Sequence, residues 1–352
     1  MILKATPMSL YALARPLLFA FEPERAHHLA FAALKAVPAR PARHDPRLAV
    51  DVAGLSFPSP IGLAAGLDKD AVAPDAFLAL GFGFVEVGTL TPLPQAGNPR
   101  PRLFRLAEDE AIINRMGFNN QGQAAALERL RARAGRPGIV GVNIGANKDA
   151  ADRIADYAAG VARMAPVASY LTINISSPNT PGLRALQDAG ALDALLEAVM
   201  AARPAGGPPI FLKVAPDLEP TDIDAIARVG IERGIDALIV SNTTVSRPML
   251  RSKYVHESGG LSGAPLRELA LQRLCDFRVA TGGRLPLIGA GGIASGADAW
   301  ARIKAGASLI QIYSALIYKG PFLARRIERE LLALMLSEGH SNIRTAIAAH
   351  QP

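Results

Sequence analysis

From about residue 60 the chain alternates between two hydrophobic rhythms. Short apolar, β-branched runs occur at 61–65 (IGLAA), 84–88 (FVEVG), 139–144 (IVGVNI), 170–175 (YLTINI), 209–214 (PIFLKV), 237–242 (ALIVSN), 285–290 (LPLIGA) and 308–313 (SLIQIY). Between most of them lie stretches with helical apolar spacing, at 121–134, 151–164, 190–203, 220–234, 264–280 and 295–305, and a last one follows at 321–336. Runs hydrophobic on both faces predict strands of a parallel sheet covered by crossover helices. Eight such units in roughly 250 residues predict an α/β fold of the (β/α)8 TIM-barrel type, with an open doubly wound sheet as the alternative. Residues 91–118, carrying RLFRL and AIINRMGF, interrupt the rhythm and are expected to form a small hairpin over one mouth.

The first 45 residues follow a different pattern. Residues 8–20 and 23–37 read as two short helices, with Pro23 near the start of the second and Pro38 ending it. Leu10, Leu13, Leu17 and Leu18, then Ala26, Leu29, Ala30, Ala33 and Leu34, form stripes at helical spacing. Such stripes serve equally to pack on a core or to lay an amphipathic hairpin on lipid. The Pro/Arg-rich segment 38–47 reads as a linker, which divides the chain into an N-terminal two-helix extension, 1–45, and a barrel domain, 46–352.

Charge changes the picture in one place. The net charge is +7, yet residues 1–50 hold seven basic residues against three acidic ones. More than half the excess therefore sits beside the helical stripes, which points to an anionic membrane surface. Nucleic acid is not expected, because aromatic residues make up only 5% and no Arg/aromatic interleaving occurs. Arg15-Pro16 splits the apolar start, and no run of about 20 apolar residues is present to span a bilayer. Cys275 is the only cysteine, so neither an internal disulfide nor a cysteine-based metal cluster is expected, and no metal site is assigned.

In a (β/α)8 barrel the loops after the strand C-termini build the active site. Here those ends read AAGLDKD, VGTLTP, NIGANK, NISSPNT, KVAPD, SNTT, GAGGI and YSALIYKGP, all polar or glycine-rich, whereas the opposite ends such as GRPG and GGPP are plain. GAGGI follows the seventh strand and Tyr313-Ser314 ends the eighth, the habitual phosphate cradle of this fold. Lys213 lies inside an apolar strand, where a lysine needs a partner or a ligand. Lys69 opens the loop after the first strand. Asn114, Asn143, Asn174, Asn179, Asn242 and Thr243 can each donate and accept, which suits a small planar heterocycle. Together these features suggest an anionic, ring-bearing cofactor and an anionic substrate.

At this density of motifs the chain resembles the dihydroorotate dehydrogenases of class 2, the membrane-associated, quinone-reducing form. The stretches that carry the resemblance are AAGLDKD, EVGTLTPLPQAGNPRPRLFR, NRMGFNN, VNIGANK, NISSPNTPGLR, LKVAPD, SNTT, GGLSGAPL, IGAGGI and GASLIQIYSALIYKGP, in order over most of the chain. The resemblance implies one FMN per chain, oxidation of (S)-dihydroorotate to orotate in pyrimidine synthesis, and a membrane quinone as electron acceptor. It implies a peripheral protein on the cytoplasmic face of the inner membrane. By matching motif, FMN contacts fall on Ala65, Gly66, Leu67, Asp68 and Lys69, on Thr89, Asn143, Asn174, Lys213 and Ser241, and on Gly263, Gly292, Tyr313 and Ser314. Substrate contacts fall on Lys69, on Asn114, Arg115, Met116, Gly117 and Phe118, and on Asn174, Asn179, Asn242 and Thr243. Ser177 falls on the catalytic base, where class 1 relatives carry a cysteine. His27, Arg102 and Tyr313 fall on the quinone tunnel. Ser241 stands where threonine is commoner, and Ser176 receives no role.

Overall fold

The computed structural model describes residues 10–34, 36–37 and 40–349. Two helices, α1 (Leu10–Ala20) and α2 (Pro23–Leu34), precede a short antiparallel pair, β1 (Val50–Val52) and β2 (Leu55–Phe57). The barrel begins with β3 (Ile61–Leu63), α3 (Pro74–Leu80) and β4 (Phe84–Leu90). An antiparallel insertion follows, β5 (Leu103–Leu106) and β6 (Ala111–Asn114). The alternation resumes with α4 (Gly122–Ala132), β7 (Ile139–Ile144), α5 (Arg153–Met164), β8 (Tyr170–Asn174), α6 (Ala189–Ala202), β9 (Ile210–Val214), α7 (Pro220–Arg233) and β10 (Ala237–Val240). After β11 (Gly260–Gly263) come α8 (Arg267–Thr281), β12 (Leu287–Ala290), α9 (Gly296–Lys304) and β13 (Ala307–Ile312), then α10 (Ser314–Lys319), α11 (Leu323–Ser337) and α12 (Ile343–Ala349).

The eight expected runs close into one parallel barrel in the order β10-β12-β13-β3-β4-β7-β8-β9. Closure, with Ile310 opposite Ile61 and Ile239 opposite Lys213, rules out the open sheet. Strand β4 is buried at all seven positions, as a strand covered on both faces must be. At the N-terminal end the barrel is plugged by aromatic rings. Phe84 occupies the space a side chain at Gly62 would take, where a Cβ would lie 2.2 Å from the ring, and Tyr170 stacks on Phe211 at 4.5 Å. The barrel interior is therefore filled at that end.

Several elements carried no readable pattern. The insertion hairpin is as expected, but β11 adds a third strand to it in the order β11-β6-β5. Its sequence, GLSG, has neither alternation nor an apolar run. The β1–β2 pair, α3, α10 and α12 are short and were likewise not foreseen. Helix α1 runs through Pro16 without a break. The second helix ends at Leu34, short of the expected residue 37, and Pro38, Lys35 and residues 8–9 lie outside the described residues. The segment read as a linker is anchored to the barrel: the Ala42 N–H donates to Leu78 O at 3.0 Å, and His44 pairs with Glu328 at 2.7 Å.

The hairpin of α1 and α2 lies over the insertion. Arg105 donates to the carbonyls of Leu18, Phe19 and Phe21, which caps the end of α1, and the Tyr11 hydroxyl donates to Ile317 O at 2.6 Å. Cys275 is free and half-buried on α8.

Candidate active site

One cavity of about 1050 Å³ occupies the C-terminal ends of the barrel strands and continues beneath α1 and α2. Its floor and walls bring together residues far apart in sequence: Ala65 to Lys69 after β3, Thr89 on β4, Asn174 and Ser177 at and after β8, Lys213 on β9, Ser241 to Thr243 after β10. Gly263, Gly292, Tyr313 and Ser314 line one side; Asn114, Met116, Gly117, Phe118 and Asn179 line another. His27 lines the part under the hairpin, its ring 4.5 Å from that of Phe31.

Three expected residues stand off the cavity wall. Asn143 is fully buried one layer behind. Arg115 turns away: its guanidinium pairs with Glu257 at 2.7 Å, donates to Pro101 O at 2.9 Å and lies over the Phe104 ring. Arg102 sits behind the cavity wall, where Glu24 takes its Nε at 2.8 Å and its Nη1 donates to the carbonyls of Ala96 and Asn98. The peptide of RLFRL alternates its side chains, and a buried carboxylate on α2 captures the one facing inward. Nothing in RLFRL or in the second helical stripe announces that pairing.

The amides form two hydrogen-bonded groups on opposite walls. Asn143 Nδ2 donates to Glu86 Oε1 at 2.7 Å, while Asn143 Oδ1 accepts from Thr89 Oγ1 at 2.5 Å and from Asn174 Nδ2 at 3.0 Å. Asn174 Oδ1 accepts from the Ser176 hydroxyl at 3.1 Å, and Asn242 Nδ2 donates to Ser176 Oγ at 2.9 Å. On the opposite wall Asn179 Nδ2 donates to Asn114 Oδ1 at 3.2 Å. The Ser177 Oγ accepts the Asn179 N–H at 3.3 Å. Each amide is thus held in one orientation by its neighbours, so the remaining donors and acceptors face the cavity as a fixed set.

Electrostatics at the floor is dominated by burial. Neither the Lys69 nor the Lys213 ammonium has a hydrogen bond or ion pair among the described residues. Burial lowers the Lys213 pKa, opposed by the field of Glu86. Burial likewise pulls Lys69 down to about 8, opposed by Asp70 and Glu24. Asp68 does not neutralise Lys69; its carboxylate accepts the N–H groups of Val72 and Ala73, both at 2.8 Å, and staples the loop. Burial holds His27 at about 3, so its imidazole is neutral, and pushes Tyr313 up to about 12.

The sequence reading missed Glu86, Gln311 and Ser176. Glu86 is fully buried inside the barrel and accepts from Asn143, from Tyr170 at 3.1 Å and from Gln311 Nε2 at 2.7 Å. That bond fixes the Gln311 amide and leaves its Oε1 buried without a partner. An acid inside FVEVG and an amide inside SLIQIY were the available signals. Ser176 links Asn174 to Asn242, which nothing in NISSPN announces.

An unpartnered lysine and an unpartnered amide oxygen on a cavity wall are expensive unless a ligand meets them. Backbone completes the cradle: Gly292 has φ +70°, and a Cβ there would lie 2.4 Å from Arg267 Cα. These residues fit a polar, anionic, ring-bearing group such as FMN in chemistry and in size.

Fold and site together define an enzyme-type (β/α)8 barrel with its chemistry at the strand C-termini. The family described as dihydroorotate dehydrogenase matches residues 47–335, and the chain belongs to that family. It is 63% identical over 341 residues to the dihydroorotate dehydrogenase (quinone) of Erythrobacter litoralis, covering 97% of this chain and 99% of the relative. The enzyme of the same name from Sphingopyxis alaskensis is 64% identical over 343 residues, covering 96% of each. A crystal structure of DHODH from Eimeria tenella in complex with ferulenol superposes with a TM-score of 0.90 at 42% identity, covering 96% of this chain and 99% of that one.

Proposed function

We propose that this chain oxidises (S)-dihydroorotate to orotate with one bound FMN and passes the electrons to a membrane quinone, a step of de novo pyrimidine (UMP) biosynthesis. The observation that carries this reading is the continuity of the cavity. One space runs from Lys213 and Asn174 to His27 and Phe31 under the hairpin, so a polar reaction at one end can be coupled to an apolar acceptor at the other.

When bound, FMN supplies a hydride acceptor that can hand electrons on to a quinone. Ala65 to Lys69, Thr89, Asn174, Lys213 and Ser241 would hold its ring, with Asn143 orienting Thr89 and Asn174 from behind. Gly263, Gly292, Tyr313 and Ser314 would hold its phosphate. Lys213 would offset the negative charge that such a ring gains on reduction. Asn114, Asn179, Asn242 and Thr243 would grip the substrate ring, and Lys69 its carboxylate.

Desaturating a carbon–carbon bond beside a carbonyl removes a proton from one carbon and a hydride from the next. Ser177 is the proton acceptor in this reading. A serine hydroxyl has a pKa far above neutrality, so it passes its own proton to water in the cavity as it takes the substrate's. The Asn179 N–H fixes the Ser177 oxygen while this happens.

Residues 1–45 act in this reading as the membrane-associating and quinone-access region, and 46–352 as the catalytic domain. Leu13, Leu17 and Leu29 expose their side chains on the hairpin that Arg15 and Arg25 flank. That arrangement supports a peripheral protein on the cytoplasmic face of the inner membrane. No helix among the described residues is long and apolar enough to cross a membrane.

The test is spectroscopic. The purified protein should be yellow, bleach anaerobically with dihydroorotate, and recover colour rapidly with ubiquinone but slowly with fumarate or NAD. A colourless protein, or one that dihydroorotate leaves oxidised, ends this reading.

A further inference from the structure

We propose that Arg184 is a positioning residue for Ser177, a clamp that fixes the base-bearing loop against the loop carrying Asn242 and Thr243. The inference rests on the assignment of Ser177 as base.

Strands β8, β9 and β10 are neighbours around the barrel, so the loop after β8 and the loop after β10 are separated by β9. Strand pairing cannot hold them in register with each other, because β8 ends at Asn174 and β10 at Val240. The loop after β8 is built of turn residues, Ser-Ser-Pro-Asn-Thr-Pro-Gly, and has no ladder of its own. The side-chain bonds from Asn242 to Ser176 and from the Asn179 N–H to Ser177 leave the backbone beside Ser177 to be fixed by another group.

Arg184 spans the gap. Its Nε donates to Ser176 O at 3.1 Å, its Nη2 to Thr243 O at 3.0 Å, and its Nη1 pairs with Asp217 Oδ2 at 2.9 Å. The first contact is the residue before Ser177, and the second is the residue after Asn242. The third is the carboxylate beyond β9, which also accepts the Val245 N–H at 3.1 Å and the Thr244 hydroxyl. One planar fork therefore ties three successive strand-end loops together.

The base of the clamp is fixed as well. Arg184 lies on the 3-10 turn Leu183–Gln187, and Gln187 Oε1 accepts the Ala215 N–H at 2.9 Å, which docks that turn on the end of β9. Arg184 is not part of the cavity wall, so it acts through Ser177 rather than on the substrate. An ammonium is a point charge and cannot reproduce three contacts from a rigid fork.

The experiment separates the half-reactions. Misplacing a reacting group by about 1 Å costs on the order of 10²-fold, so Arg184→Met should slow anaerobic flavin reduction by dihydroorotate about 30- to 100-fold. Flavin content and reoxidation by quinone should stay within about twofold of wild type, and Arg184→Lys should recover only part of the loss. In a Ser177→Ala background the same Arg184→Met change should cost less than about threefold, because the group it positions is gone.

A full, multiplicative loss in that background, equal slowing of both half-reactions, or an unaffected Arg184→Met overturns the clamp. Should Arg184→Met emerge without flavin, Asp217→Asn weakens the same fork more gently. Several-fold slower flavin reduction there supports the clamp, and no change refutes it. A wild type that dihydroorotate cannot bleach refutes the assigned reaction instead.

Discussion

Glu24 and Arg102 form a two-point ion pair that fastens helix α2 to the insertion: Nε to Oε1 at 2.8 Å and Nη2 to Oε2 at 2.9 Å. Both side chains are nearly out of solvent, at 8% and 6% exposure. Removing one partner of a buried pair leaves the other charge uncompensated and costs about 3–5 kcal/mol. Glu24→Ala should therefore lower the melting temperature and loosen the hairpin wall of the cavity. Quinone turnover should fall while dihydroorotate still bleaches the flavin. Hydrogen bonding from Arg102 holds the Glu24 pKa below its ordinary 4.5. The pair's contribution is thus complete above that value and disappears as pH falls through the lowered one. Acid titrations of stability should show this loss in wild type and not in Glu24→Ala; identical curves would remove the pair from the stability of the hairpin.

Lys69 predicts a pH dependence of ligand binding. Burial leaves its ammonium titrating at about 8 in the ligand-free protein. Between there and the ordinary 10.5 the unfolded chain binds more protons, so the ligand-free fold gains stability as pH rises through that interval. An anionic ligand does the reverse, because its charge raises the lysine pKa and binding then draws in a proton. Orotate affinity should be flat below pH 8 and weaken above it by up to about tenfold per pH unit. Titrations followed through the flavin spectrum should show this slope in wild type and a flat line in Lys69→Met.

The barrel was legible because each of its eight strands is a continuous apolar run, and a run needs no partner to be seen. Strand β11 was not, since GLSG gains its place from pairing with β6, a tertiary fact. The same division holds in the site. Lys213, Lys69 and the asparagines stand out as polar residues at apolar strand ends. Glu86 and Ser176 act by holding other side chains, and their roles depend on distances that a sequence does not carry. Arg102 is a case in point: its type and place in RLFRL are visible in the sequence, whereas the Glu24 carboxylate that holds its guanidinium behind the wall is not.

Glu86 is the hub of the buried hydrogen bonds inside the barrel. Its carboxylate accepts from three donors, Asn143, Tyr170 and Gln311. A glutamine there offers one acceptor and brings a donor to meet donors, leaving buried groups unsatisfied at about 1–3 kcal/mol each. It also removes the charge whose field opposes the burial of Lys213. Glu86→Gln should melt lower and purify with less than one flavin per chain, although Glu86 itself lies behind the wall. Stoichiometric flavin and an unchanged melting temperature would show that the carboxylate is dispensable.

Ser177 is the residue whose substitution reads most directly on the chemistry. Ser177→Ala keeps the shape of the loop and loses one acceptor for the Asn179 N–H. Orotate should bind nearly as in wild type, while flavin reduction by dihydroorotate falls by about 10²- to 10⁴-fold, the usual worth of a general base. Ser177→Cys is the more informative change. A thiol of roughly ordinary pKa, about 8.5, becomes a competent base only as the thiolate. Its rate of flavin reduction should climb about tenfold per pH unit below that value and level off above it. Wild type, lacking a thiol at the base position, should show no such step. A cysteine variant with the wild-type pH profile would place the proton acceptor elsewhere in the cavity.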